Sequence, residues 1–119
     1  MVRVWDLPSA DILSHLFFLT DEIYKELHPS PPDPIVPNNR VLVHCAGGIS
    51  RSTAVVAAYL VRYEGCDVDS ALTKIKTIRP RSNPNPGFVQ QLRDFEREVH
   101  CRRNPLVDKA RLFLNNRSW

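Results

Sequence analysis

The sequence predicts an α/β fold, a short, mostly parallel sheet packed by about five helices, and three observations predict it. A continuous apolar run, Val41-Leu42-Val43, reads as a strand covered on both faces, as strands of parallel sheets are. A glycine-containing turn follows, and then a segment from Ser52 to Tyr63 that is apolar nearly all round, the pattern of a central buried helix. Elsewhere apolar residues recur at the three- and four-residue spacings of amphipathic helices. A chain of 119 residues with 43% hydrophobic and 24% charged composition fits one globular domain with a modest core.

In chain order, Val2-Arg3-Val4-Trp5 alternates like a short strand. After Leu7-Pro8-Ser9, the positions Ile12, Leu16, Leu19, Ile23 and Leu27 line one face of a helix. Residues 28–39 hold five prolines, which exclude both a helix and a central strand and predict a stiff surface loop. The apolar run and the buried helix come next. Asp67 or Asp69 caps a further helix with apolar positions Val68, Ala71, Leu72, Ile75 and Ile78, ending before Pro80. Another runs from about Gly87 to Cys101 with Phe88, Leu92, Phe95 and Val99 on one face, and Asn104-Pro105 leads into a short helical tail through Leu114. The expected organisation is a single domain over residues 1–119, with 28–39 a proline-rich loop and 103–119 a C-terminal tail. Two short strands are rarely stable alone, so the domain is expected to be short at its N-terminus, with an exposed sheet edge at Val2 to Trp5 through which copies self-associate.

Composition narrows the function classes. No apolar run reaches the ~18 residues of a membrane span, and the first residues lack the order of a signal peptide. Cys45, Cys66 and Cys101 are odd in number and lack C-x-x-C spacing, which argues against a disulfide framework or a zinc site. The expectation is a chain in a reducing compartment, cytoplasmic or nuclear, without metal, cofactor or membrane partner. A net charge of +3 is too mild to imply nucleic acid. Lys74, Lys76, Arg79 and Arg81 nonetheless form a basic stretch with no acid between them, read either as cations favoured at a helix C-terminus or as an attractor of anionic substrate.

The segment HCAGGISRST, residues 44–53, carries the chemistry. A strand delivers Cys45, five residues turn, and Arg51 opens a helix. Such a turn aims backbone N–H groups and the positive end of the helix at one point, which suits a dianion. Gly47 and Gly48 permit the close approach that a cradle needs, and Arg51 presents a fork to two phosphate oxygens. The same positive field favours the Cys45 thiolate, the nucleophilic form. A structural cysteine beside an ordinary turn needs neither paired glycines nor a positioned arginine. A nucleoside-triphosphate loop is excluded, since G-x-x-x-x-G-K-[ST] is absent.

His-Cys-x5-Arg-Ser is the signature of the protein tyrosine phosphatase superfamily, and HCAGGISRSTAVVAAY resembles its dual-specificity branch. Pro84-Asn85-Pro86-Gly87-Phe88 with Gln91-Leu92 resembles that branch's P-N-x-G-F-x-x-Q-L element, and Arg79-Pro80 its preceding pair. Asp6-Leu7-Pro8 ahead of a helix resembles the loop that carries the family's general acid. The resemblance implies a partial dual-specificity-phosphatase-like fold and a set of roles. Cys45 is the nucleophile. Arg51 and the amides of Ala46, Gly47, Gly48, Ile49, Ser50 and Arg51 bind phosphate. Asp6 is acid and then base, Ser52 steadies the thiolate, and His44 and Asn85 support the loop. From the residues alone, Asp6 is more often a helix-entry cap, and the alternatives are Ser52 as a helix start, His44 as a satisfied core histidine and Asn85 as turn chemistry.

The variable positions Ala46 to Ser50 bring no cation, which disfavours phosphoinositide or RNA-end substrates. The expected partner is a phosphorylated protein, cleaved at phosphotyrosine and also at phosphoserine and phosphothreonine through a cysteinyl-phosphate. The alternative is a catalytically weak phosphate-binding or interaction protein. A sugar- or glucan-phosphate phosphatase is a third reading, with no carbohydrate-binding module to accompany it.

Overall fold

The computed structural model describes residues 6–29, 41–45 and 49–103. Four helices form within them: α1 (Leu13–Leu27), α2 (Arg51–Tyr63), α3 (Val68–Ile78) and α4 (Pro86–Arg103). None of these is long and apolar enough to cross a membrane. The apolar spacings in the sequence place all four, and the cap chemistry fixes their ends. Asp67, not Asp69, caps α3, its Oδ1 accepting the Ser70 N–H at 2.7 Å. Asp69 lies in the first turn and pairs with Arg93 at 3.0 Å. Pro86 opens α4, where a missing N–H costs nothing. Past the end of α2, Gly65 takes φ +72°, the left-handed conformation common just beyond a helix end, and the Cys66 N–H reaches back to the Leu60 carbonyl at 3.2 Å.

Helix α2 is the hub and touches α1, α3 and α4. Its Ala54, Ala57 and Ala58 are fully buried, and such small side chains let neighbouring helices approach closely. Against them α4 sends the predicted stripe Phe88, Leu92, Phe95 and Val99, α1 sends Leu16 behind Ile12, and α3 sends Val68 and Ala71. Of the polar residues buried with this core, Thr20 is fully buried, donates to the Leu16 carbonyl at 2.7 Å and accepts from Arg62 Nη1 at 3.0 Å, so its hydroxyl is satisfied.

The α/β expectation fails here. The described residues contain four helices and no strand, so the short, mostly parallel sheet is not found among them. Residues 41–45 are irregular, and the run Val41-Leu42-Val43 is covered on one side only: residues 41, 43 and 45 are half-buried, whereas Leu42 is 84% exposed. The physical reason is that a strand exists only through a neighbour that takes its N–H and C=O groups, and no described segment runs alongside. A short apolar run by itself does not distinguish a strand from any other buried segment. The other predicted strand and its edge at Val2 to Trp5, nearly all of the proline-rich loop, and the fifth predicted helix after Asn104 lie outside the described residues.

Candidate active site

The site forms where residues 41–45 meet the N-terminus of α2. Val43 packs against the core, which sets Cys45 beside the helix start. Cys45 Sγ accepts the Ser52 N–H at 3.4 Å and lies 3.4 Å from Ser52 Oγ. A thiol donates across the second contact, whereas a thiolate accepts from the hydroxyl. Helix α2 has no side-chain cap from Ser50 and no acid in its first turn, so the Cys45 sulfur meets the positive end of the helix directly. Thr53 Oγ1 donates to the Ile49 carbonyl at 2.9 Å and the Ala54 N–H to the Ser50 carbonyl at 3.0 Å, fastening the loop's end to the helix.

Ser50 leaves its own helix uncapped because its hydroxyl works elsewhere. Buried at 4% exposure, it accepts the Asn85 N–H at 2.9 Å and hydrogen-bonds Asp6. Asn85 Nδ2 donates to Asp6 Oδ1 at 2.8 Å, while Asn85 Oδ1 accepts the Phe88 N–H at 2.9 Å at the start of α4. Asp6, Ser50 and Asn85 thus close a ring that joins the first loop to the residues leading into α2. Close by, the Asn83 N–H donates to the Ile49 carbonyl at 2.7 Å. The hydrogen bond from Ser50, then that from Asn85, and the charge of Arg51 hold the Asp6 carboxyl below the ordinary aspartate range. Asp6 is therefore a carboxylate in the resting protein, and it is not the cap of α1.

The cap of α1 comes from two other side chains. Asp11 Oδ1 accepts the Ser14 N–H at 3.1 Å, and Gln91 Oε1 on α4 accepts the Ile12 and Leu13 N–H groups at 2.8 and 2.9 Å. Gln91 Nε2 donates back to the Ala10 carbonyl at 2.8 Å. One amide thereby satisfies three backbone groups and clamps the Asp6 loop to α4. Gly87 makes the clamp possible: a Cβ there would stand 2.0 Å from the Pro8 carbonyl oxygen, a distance at which the backbones must separate.

Of the residues singled out in the sequence, Cys45, Ser52, Ser50, Asn85 and Asp6 come together, with Arg51 close enough for its charge to act on Asp6. Ile49 contributes its carbonyl to the anchoring bonds. His44 is exposed, and Ala46, Gly47 and Gly48 lie outside the described residues. Cys66 follows the far end of α2, whose 13 residues rise about 20 Å, too far from Cys45 for a disulfide. Sequence reasoning missed the clamping role of Gln91, the Ser50 side chain and the Gly87 approach. The signal for Gln91 was the apolar start of α1, where Ile12 supplies no side-chain acceptor to the first amides.

Comparison with known proteins bears on the same residues. The family model described as dual specificity phosphatase, catalytic domain, matches residues 34–98, which include Cys45, Arg51, Ser52 and Asn85 but not Asp6. Mouse protein phosphatase Slingshot homolog 3 is 42% identical over 95 residues, which is 80% of this chain and 13% of that protein. Human dual specificity phosphatase 28 is 34% identical over 100 residues, 84% of this chain and 52% of that protein. Among solved structures, a mouse protein assigned to the dual specificity phosphatases and complexed with zinc tungstate superposes with a TM-score of 0.74 at 34% identity. That superposition covers 85% of this chain and 58% of the other. The chain thus spans about half, or far less, of the length of these relatives.

Proposed function

Since this chain belongs to the dual specificity phosphatase catalytic-domain family, we propose that it hydrolyses phosphate monoesters on proteins, at tyrosine and at serine or threonine, through a cysteinyl-phosphate. The observation that carries the reading is the Cys45 sulfur held at 3.4 Å from both the amide and the hydroxyl of Ser52, at a helix start that Ser50 leaves uncapped. A sulfur so placed is stabilised as the thiolate by a dipole end and two donors. The tungstate in the related mouse structure is an oxyanion of phosphate's tetrahedral shape, which fits the same chemistry.

In the first step the Cys45 thiolate attacks phosphorus in line, the S–P bond forms, and the bond to the leaving oxygen breaks as Asp6 donates a proton to it. Asp6 must first take up that proton, and the negative charge of a phosphate beside it raises its proton affinity. Arg51 and the loop amides bind the equatorial oxygens. In the second step the Asp6 carboxylate takes a proton from water, the water oxygen bonds phosphorus, and the S–P bond breaks. The Ser52 hydroxyl then donates to the departing sulfur.

The test is phosphate release from an aryl phosphate and from phosphopeptides, compared with the Cys45→Ser variant. The expected result is turnover by the native chain and none by the variant, which keeps Arg51 and still binds phosphopeptide. Comparable rates in the two proteins would remove Cys45 from the mechanism, and binding by both without turnover would make the chain an interaction protein.

A further inference from the structure

We infer that the exposed basic segment bordering the phosphate loop, with Lys76 and Arg81 at its centre, selects phosphoprotein substrates that carry acidic residues beside the phosphorylated one. The inference rests on the phosphatase reading and names the substrate class for that site. Residues 70–93 contain five cations, Lys74, Lys76, Arg79, Arg81 and Arg93, and no acid, although the whole chain carries only +3. Positive charge is thus concentrated in one segment, while acids lie on either side of it in the sequence. Arg93 is engaged by Asp69 and Lys74 Nζ donates to Cys66 Sγ at 3.4 Å. Lys76 and Arg81 are exposed and meet no acid among the described residues.

The helix dipole accounts for part of this stretch but not all of it. Lys76 sits in the last turn of α3, where a cation is favoured. Arg81 lies three residues past the helix end, beyond the dipole's reach. It occupies the turn that the Ser82 N–H closes onto the Arg79 carbonyl at 3.0 Å. Two residues later, the Asn83 N–H is bonded to the Ile49 carbonyl of the phosphate loop. Two residues span at most about 7 Å, so the Arg81 backbone stands within about that distance of a residue fastened to the phosphate loop. An extended peptide with its phosphate in the loop places residues two or three positions away at about 7–10 Å, within reach of Arg81 for an acidic side chain, and Lys76 adds positive charge to the same segment.

The experiment compares two phosphotyrosine peptides that differ only in flanking Glu or Gln, using the full chain, the double variant Lys76→Glu/Arg81→Glu, and an aryl phosphate that reaches only the loop. For the native chain we expect kcat/KM about tenfold higher for the acidic peptide, falling toward parity at about 0.5 M salt, where exposed charges are screened. The double variant should lose or reverse the preference and keep its aryl phosphatase rate. Normal aryl phosphate turnover with equal rates on both peptides would overturn the inference while leaving the phosphatase reading intact. Absence of all turnover would count against the phosphatase reading. Titration of the same two peptides would then decide the basic segment, equal affinities overturning it. Weakened binding of the double variant to phosphatidylserine vesicles, with no change on the peptides, would assign the segment to a membrane surface and overturn it too.

Discussion

Asp6 is required to be an acid in one half of the proposed reaction, and its neighbours in the resting protein favour its anion. Ser50 and Asn85 each donate to it, and Arg51 adds a positive charge, so its proton is held less tightly than on an ordinary aspartate. Removing a donor must raise the Asp6 pKa. For a leaving group that needs protonation, the alkaline limb of kcat/KM reports loss of that proton from the free enzyme. Asn85→Ala should therefore move the limb to higher pH even as the maximum falls, because Asp6 loses its positioning contact as well. A pH profile with an unactivated phenol ester checks this, and an unmoved limb would sever Asn85 from Asp6. The candidate loop was legible in the sequence because Cys45, Arg51 and Ser52 stand close together along it. The Asp6 to Asn85 bond spans 79 positions, and only the family resemblance brought the two residues under one heading.

Among the elements, α4 does more than fill the core. Its Gln91 satisfies the first amides of α1, and its Gly87 lets the Pro8 backbone lie against it. Gln91→Ala would leave two N–H groups and the Ala10 carbonyl without their partner, a loss of about 2 kcal/mol measurable by denaturant titration. Gly87→Ala acts differently. Its Cβ must push the Asp6 loop away, so turnover of poor leaving groups should fall steeply, as in Asp6→Asn, while acidic phenol esters are spared. Equal losses on both would mean damage to the nucleophile loop instead. The helices were legible since each carries its own period of apolar residues. The sheet was inferred from Val41-Leu42-Val43 alone, and a strand depends on partners a local pattern cannot name. Ile78 shows the same limit within a helix: spacing put it on the apolar face of α3, yet at the helix's last residue it is 86% exposed.

For the whole molecule, α1 and α2 are joined on the side remote from Cys45 by a polar and aromatic knot. Arg62 donates to the Phe17 carbonyl at 3.0 Å, pairs with Asp21 at 2.8 Å and faces the rings of Phe17 and Tyr63. Tyr63 donates its hydroxyl to Asp21 at 2.9 Å and stacks on Tyr24. Burial, first, and then that hydrogen bond raise the Tyr63 pKa above its ordinary 10.0, and burial raises that of Tyr59. At the other extreme, Asp6, Asp11 and Asp67 are lowered by the hydrogen bonds they accept. A lowered aspartate contributes stability at pH above its unfolded value, near 3.8, and the contribution is lost as pH falls through the folded one. A raised tyrosine contributes below its unfolded value of 10.0 and loses the contribution as pH rises through the folded one. Tm should therefore hold level between about pH 5 and about pH 9 and decline on both sides. The alkaline decline belongs to the knot, since Tyr63 must surrender the proton that it shares with Asp21. In Tyr63→Phe the ring still stacks but has no proton to lose, so its Tm should start lower at pH 7 and fall less between about pH 9 and about pH 11 than the native chain's. Melting curves of both proteins across that window measure the difference, and parallel alkaline declines would show that Tyr63 is not the group whose titration loosens α1 from α2.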